Sequence, residues 1–123
     1  MNTEAKLQIA IANFIRLQYP KVYFMSDHSG VWFKSFPMRK FMKDSHSTHA
    51  QLDMVILHPN KGRHGLILEL KSKSPLKKDG SFKKDAHLQD QQNSIVHLTK
   101  LSYSCGIVWE LNTAIEYINE YMK

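Results

Sequence analysis

A chain of 123 residues, 42% hydrophobic and 23% charged, has room for one domain with one modest core, burying roughly two-thirds of its unfolded surface, and excludes a multidomain machine. Seventeen Lys and Arg against eleven Asp and Glu leave a net charge of +6 and a pI near 9.5, a balance that favours a polyanionic partner without naming it. The single cysteine, Cys105, excludes an internal disulfide framework and four-thiolate zinc sites; set among Gly106, Ile107, Val108 and Trp109, it reads as a buried structural thiol in a reducing compartment.

From Thr3 to about Gln18, Leu7, Ala10, Ile11, Phe14, Ile15 and Leu17 recur at helical spacing, with Thr3 in N-cap position and Tyr19-Pro20 as a stop. Two β-prone runs follow, Val22 to Met25 and Val31 to Lys34, parted by the turn-forming residues Ser26 to Gly30. Between Ser35 and Gln51 the periodicity disappears, and Pro37, Arg39, Lys40, Lys43, His46 and His49 give a basic loop. Leu52 to Leu57 and Leu66 to Lys71 are strand-like and joined by turn formers, predicting an antiparallel hairpin. A lysine-rich loop then leads to a helix from about Asp85 to Ser102, a buried strand from Cys105 to Trp109, and a terminal helix with a capping box of Thr113 and Glu116. Apolar runs no longer than four or five residues predict no membrane-spanning helix, and the N-terminus lacks the shape of a signal peptide, so the expected location is the cytoplasm.

Side chains alternate along a strand, so Leu52, Met54 and Ile56 share one face of the first hairpin strand and Leu66, Leu68 and Leu70 share one face of the second. The register that joins these apolar faces puts Asp53, Glu69 and Lys71 together on the opposite one. Such an acidic pair can bind Mg²⁺ through one or two carboxylates, with a lysine to position a water or to offset developing charge, which is the chemistry of phosphodiester hydrolysis. A solvated ion pair on an exposed sheet face is the plainer reading of Glu69 and Lys71. At 100° per residue Gln91 falls near the centre of the apolar stripe of Leu88, Ile95, Leu98 and Leu101, where its amide must find either a backbone partner or the carboxylate face. Glu4, at the edge of the first helix's stripe, is either an acid favoured by the helix dipole or a residue with a catalytic role.

A helical Glu4, Asp53 on one hairpin strand, Glu69-Leu70-Lys71 on the next and Gln91 on the following helix resemble the PD-(D/E)XK nuclease superfamily. More narrowly, nearly the whole chain is similar to the VRR-NUC family and its small stand-alone, phage-type members. The resemblance implies a restriction endonuclease-like α/β fold: an αβββαβ core with a mixed sheet flanked by helices, plus the C-terminal helix, as one domain spanning 1–123. It implies Mg²⁺ or Mn²⁺ held by Asp53, Glu69 and the Leu70 carbonyl. Lys71 would assist the attacking water, Gln91 would orient the site, and Glu4 would stand as an outer acid near the metal. Ala50-Gln51-Leu52-Asp53 departs from the family's Gly-x-Pro-Asp lead-in, and Ser102-Tyr103 stands where Gly-Tyr is usual.

The implied activity is a metal-dependent endonuclease acting on branched DNA such as Holliday junctions. It would work as a homodimer in a bacterial or phage-infected cell, with no membrane and no small-molecule cofactor. Arg39, Lys40, Lys43, Lys73, Lys77, Lys78, Lys83 and Lys84 border the site in sequence and would hold phosphates without reading bases, if they are more than solubilising charge. A non-catalytic DNA-binding module on the same fold is the alternative. A sequence-specific restriction enzyme is disfavoured because little chain is left over to read bases. Seven histidines include the close pair His46 and His49, but without thiolates or a suitably spaced acid they read as loop polarity or phosphate contacts.

Overall fold

The computed structural model describes residues 3–27, 36–45, 50 and 52–123. Its elements in chain order are α1 (Thr3–Gln18), β1 (Phe24–Ser26), α2 (Phe36–Asp44), β2 (Met54–Ile56), β3 (Leu66–Leu70), α3 (Ala86–Lys100), β4 (Ser104–Val108) and α4 (Leu111–Met122). The strands form one mixed sheet in the order β1-β2-β3-β4, antiparallel at the first two joints and parallel at the third, where α3 makes the crossover.

Two helices cover one face. Leu7, Ile11 and Ile15 form a stripe on α1, and Ala114, Ile118 and Tyr121 form another on α4; both meet Met54, Ile56, Leu66, Leu68, Leu70 and Val108 in a single buried cluster. All five residues of β3 are buried, as befits a central strand with helices on both sides. The opposite face of the sheet lies under α3, which buries Leu88, Gln91 and Ser94. Cys105 is half-buried on β4, and burial pushes its thiol pKa up, so it stays a protonated structural residue at neutral pH.

The hairpin register matches the one expected from alternation: Met54 pairs with Leu68, Val55 with Ile67 and Ile56 with Leu66. Where the chain passes from the hairpin turn into β3 there is no room for a side chain at Gly65, since a Cβ there would lie 2.5 Å from the Ile56 carbonyl oxygen. Gly65→Ala is therefore expected to cost about 1–3 kcal/mol, read as a lower midpoint in urea with an unchanged slope.

Several expectations need correction. The stretch 35–51 is not simply a basic loop, because Phe36–Asp44 is helical. Pro37 does not break it, since a proline in the first turn removes an amide that has no intrahelical partner anyway. Arg39, Lys40 and Lys43 consequently ride on a helix, where Lys40 pairs with Asp44 at 2.5 Å. The first strand is Phe24–Ser26 rather than Val22 to Met25. The second β-prone run, Val31 to Lys34, lies outside the described residues, as do His46 and His49. Thr3 is already helical rather than an N-cap.

The terminal helix begins at Leu111, with Glu110 at the N-cap making no side-chain cap bond, so Thr113 lies inside the helix and the capping box does not form. Leu111 packs against the core cluster and draws the helix start toward it. The stripe on α3 is also shorter than expected: Leu101 is the C-cap and half exposed, and the buried positions are Leu88, Gln91 and Ser94.

Candidate active site

The site lies where β2 and β3 run side by side under α3. One step beyond the Met54–Leu68 pair, the same hairpin register sets Asp53 opposite Glu69. Asp53 Oδ2 accepts the Leu70 amide at 2.7 Å, which fixes its carboxylate against β3. The segment leading into it is tied on both sides. The Asp53 carbonyl accepts the Asp27 amide at 2.7 Å, and the buried Ser94 hydroxyl donates to the Ala50 carbonyl at 2.9 Å. These bonds hold the lead-in that lacks the Gly-x-Pro sequence.

Glu69 is only 3% exposed, because β3 is central and α3 packs over it. Gln91, equally buried, donates its Nε2 to Glu69 Oε1 and accepts Lys71 Nζ on its Oε1 at 2.5 Å. Lys71 Nζ stands 3.8 Å from Glu69 Oε1. The glutamine thus bridges acid and amine, and the two partners fix which way its amide points: reversed, it would set oxygen against carboxylate and NH₂ against ammonium. This is the second of the two outcomes open to Gln91 in the sequence, and Glu69 and Lys71 are not a solvated surface pair.

The other carboxylate oxygen, Glu69 Oε2, is buried and has no hydrogen-bond partner among the described residues. Burial, and next the negative charge of Asp53, push the Glu69 pKa from the ordinary 4.5 up to about 9; Lys71 opposes the rise, and Glu4 adds to it weakly. Glu4 itself is exposed on the first turn of α1 and acts on the pair at longer range. An unpartnered buried oxygen beside a second carboxylate suits a small hard cation that takes one or two protein carboxylates and keeps its waters. Among the described residues no three His, Cys, Asp or Glu side chains converge into a fuller metal cage.

His87 escaped the sequence reading. It lies one turn before Gln91 on α3, with its Nε2 3.2 Å from Gln91 Nε2, so the second amide hydrogen of Gln91 points at the imidazole. The i to i+4 spacing was the available signal, but it gained meaning only once Gln91 was known to face inward. Asp85 caps the same helix, its Oδ1 accepting the His87 and Leu88 amides at 2.8 and 3.2 Å. Those amides, Leu88's first, hold the Asp85 carboxyl below its usual range, and the charge of Lys71 adds to the effect.

Asp53, Glu69, Leu70, Lys71 and Gln91 therefore come together, and Glu4 stands off from them. Lys73, Lys77, Lys78, Lys83 and Lys84 are exposed on the loop that leaves β3 just after Lys71 and returns at Asp85 beside the site. Arg39, Lys40 and Lys43 occupy a separate element, α2.

No protein-family model and no curated protein sequence matches the chain. Among solved structures, one named VRR_NUC domain protein matches with a TM-score of 0.68 and 20% sequence identity, over 99% of this chain and 89% of that one. The fold is that of the VRR_NUC domain protein. The mixed sheet with helices on both faces, expected from the sequence as a restriction endonuclease-like core, is thereby found in three dimensions, with α2 inserted between its first two strands. No helix among the described residues is long and apolar enough to cross a membrane.

Proposed function

We propose that the chain is a metal-dependent, structure-selective DNA endonuclease. The observation that carries this reading is the buried Glu69 beside Asp53, with one carboxylate oxygen that has no hydrogen-bond partner among the described residues and with Lys71 linked to the pair through Gln91. Asp53 and Glu69, with the Leu70 carbonyl, would hold Mg²⁺ or Mn²⁺. Such an ion, when bound, supplies charge to neutralise a phosphate oxygen and acidifies a coordinated water.

The chain's own groups do the rest. Asp53 is pre-aimed by the Leu70 amide, so it costs little to order when a cation arrives. Lys71, held by Gln91, supports the attacking water and offsets the negative charge that grows on the phosphate. Gln91 keeps the ammonium and the carboxylate in fixed relation, Glu4 adds negative potential from the first turn of α1, and His87 steadies the glutamine. The VRR_NUC fold supports a nuclease, and the basic surface supports a nucleic-acid substrate held through its phosphates.

The substrate we infer is branched DNA, Holliday junctions included. The exposed lysines that border the site suit phosphates rather than base edges, so selectivity would come from DNA shape. A homodimer follows from the same logic, because symmetric cutting of a four-way junction needs two sites and a single small domain offers one.

The test is incubation of the purified chain with Mg²⁺ or Mn²⁺ and end-labelled linear, flap and four-way DNA. Cutting of branched substrates ahead of linear ones, dependent on the ion and lost in Asp53→Ala, is the expected result. Intact DNA throughout, or cutting undiminished in Asp53→Ala, would refute the proposal. Binding without cutting is the outcome that the non-catalytic alternative requires.

A further inference from the structure

The lysine-rich segment between β3 and α3 is a small folded projection. Leu76 and Phe82 pair as an antiparallel bridge, the Lys77 amide donates to the Ser81 carbonyl at 2.7 Å, and the Lys83 amide donates to the Pro75 carbonyl at 2.9 Å. At its tip Gly80 adopts a φ of +87°, and Asp79 Oδ1 accepts both the amide and the hydroxyl of Ser81, at 3.0 and 2.6 Å. Pro75 is buried and anchors the base.

This hairpin carries Lys77, Lys78, Lys83 and Lys84, all exposed, and among them one aromatic ring, Phe82, that is 42% exposed. Its base stands at the site, because the loop starts beyond Lys71 and ends at Asp85, the N-cap of the helix that carries His87 and Gln91. Phe82 is three residues from Asp85, at most about 11 Å of extended chain, so the ring stands within a few nucleotide spacings of the carboxylate pair.

An aromatic face set among lysines on an ordered scaffold is the arrangement that receives an unpaired base. The lysines take the flanking phosphates, and the ring stacks on the base whatever its identity. Phe82 shares its bridge with the half-buried Leu76, and a large part of its ring is left to solvent.

We propose that Phe82 is a specificity-determining residue that stacks on an unpaired base of the DNA next to the cleaved bond, so that the preferred substrate carries single-stranded character at that point. This rests on the nuclease reading above and adds to it the feature of branched DNA that the chain recognises.

The experiment uses the full chain in EDTA, so that no DNA is cut, with 2-aminopurine at the unpaired position of a flap and a fully paired duplex of the same sequence for comparison. The wild-type chain should quench the 2-aminopurine and bind the flap more tightly than the duplex. Phe82→Leu, which keeps an apolar side chain at the bridge with Leu76 but has no π-face, should lose the quenching and weaken flap binding by about 5- to 100-fold while leaving duplex binding unchanged. Phe82→Trp should restore both.

Quenching and flap affinity unchanged in Phe82→Leu would overturn the proposal, as would equal losses on flap and duplex in a variant whose melting temperature matches wild type. A parallel incubation with Mg²⁺ separates the two readings. Intact DNA there refutes the nuclease, whereas cutting that proceeds with the same flap preference in Phe82→Leu refutes only the role of Phe82.

Discussion

Glu69→Gln is expected to abolish DNA cutting and, at the same time, to make the fold more stable at neutral pH. In the folded chain the Glu69 carboxyl titrates near 9 rather than 4.5, chiefly because it is buried and next because Asp53 lies beside it. Between those values the native state binds more protons than the unfolded one. Stability therefore falls as pH rises through that window, and is unaffected by this group below it. A glutamine never ionises, so the variant carries no such pH-dependent cost.

The stability difference between Glu69→Gln and wild type should then be close to zero near pH 4 and grow with pH, to about 2 kcal/mol at pH 7, in metal-free urea melts. The same variant should cut at least about a hundredfold more slowly, since it removes a charged ligand from where a cation is needed. A residue kept at a cost to the fold and essential to turnover is what a functional carboxylate looks like. A variant that is less stable than wild type at pH 7 would mean that Glu69 is a structural group.

Lys71→Met should leave the DNA affinity within about twofold and reduce the cutting rate by about 10²–10³-fold. Lys71 is half-buried behind Gln91 rather than among the exposed lysines, so its charge contributes little to holding phosphates and is aimed at the carboxylate pair. Single-turnover rates at saturating enzyme, set beside anisotropy titrations in EDTA, separate the two quantities. A fall in rate that merely follows a fall in affinity would move Lys71 to the DNA-holding surface. Removing the exposed Lys77, Lys78, Lys83 and Lys84 together should do the reverse, weakening binding on all DNA and flattening its salt dependence.

Much of this site was legible in the sequence because it rests on periodicity. Alternation along two short strands, with apolar residues at every second position, fixes their register, and the register fixes Asp53 opposite Glu69 with Lys71 two residues on. Gln91 was visible for a related reason: a polar side chain in the middle of an apolar helical stripe must be bonded to something inside.

What stayed hidden depends on contacts rather than on pattern. The nine residues of α2 contain Pro37 and bury nothing, so neither length nor an apolar face marked them as helical. Thr113 and Glu116 satisfy a capping-box spacing, yet the packing of Leu111 begins α4 earlier. His87 matters only through the hydrogen-bonding direction of the Gln91 amide, which no hydropathy pattern encodes. Nor did the lysine-rich loop announce its fold, since its bonds run between backbone groups and through Asp79, with a single glycine turn to hint at them.

The proposed cation site joins Asp53 and Glu69, with the Glu69 oxygen that has no partner among the described residues as its open ligand. Mn²⁺ titration of the full chain by calorimetry, in two buffers of different ionisation enthalpy at pH 7.5, tests it directly. The expected result is saturable binding with net release of a proton, the one that Glu69 carries in the metal-free fold, and loss of that binding in both Asp53→Ala and Glu69→Gln. The same Mn²⁺ uptake in wild type and both variants, or none in wild type, would contradict it.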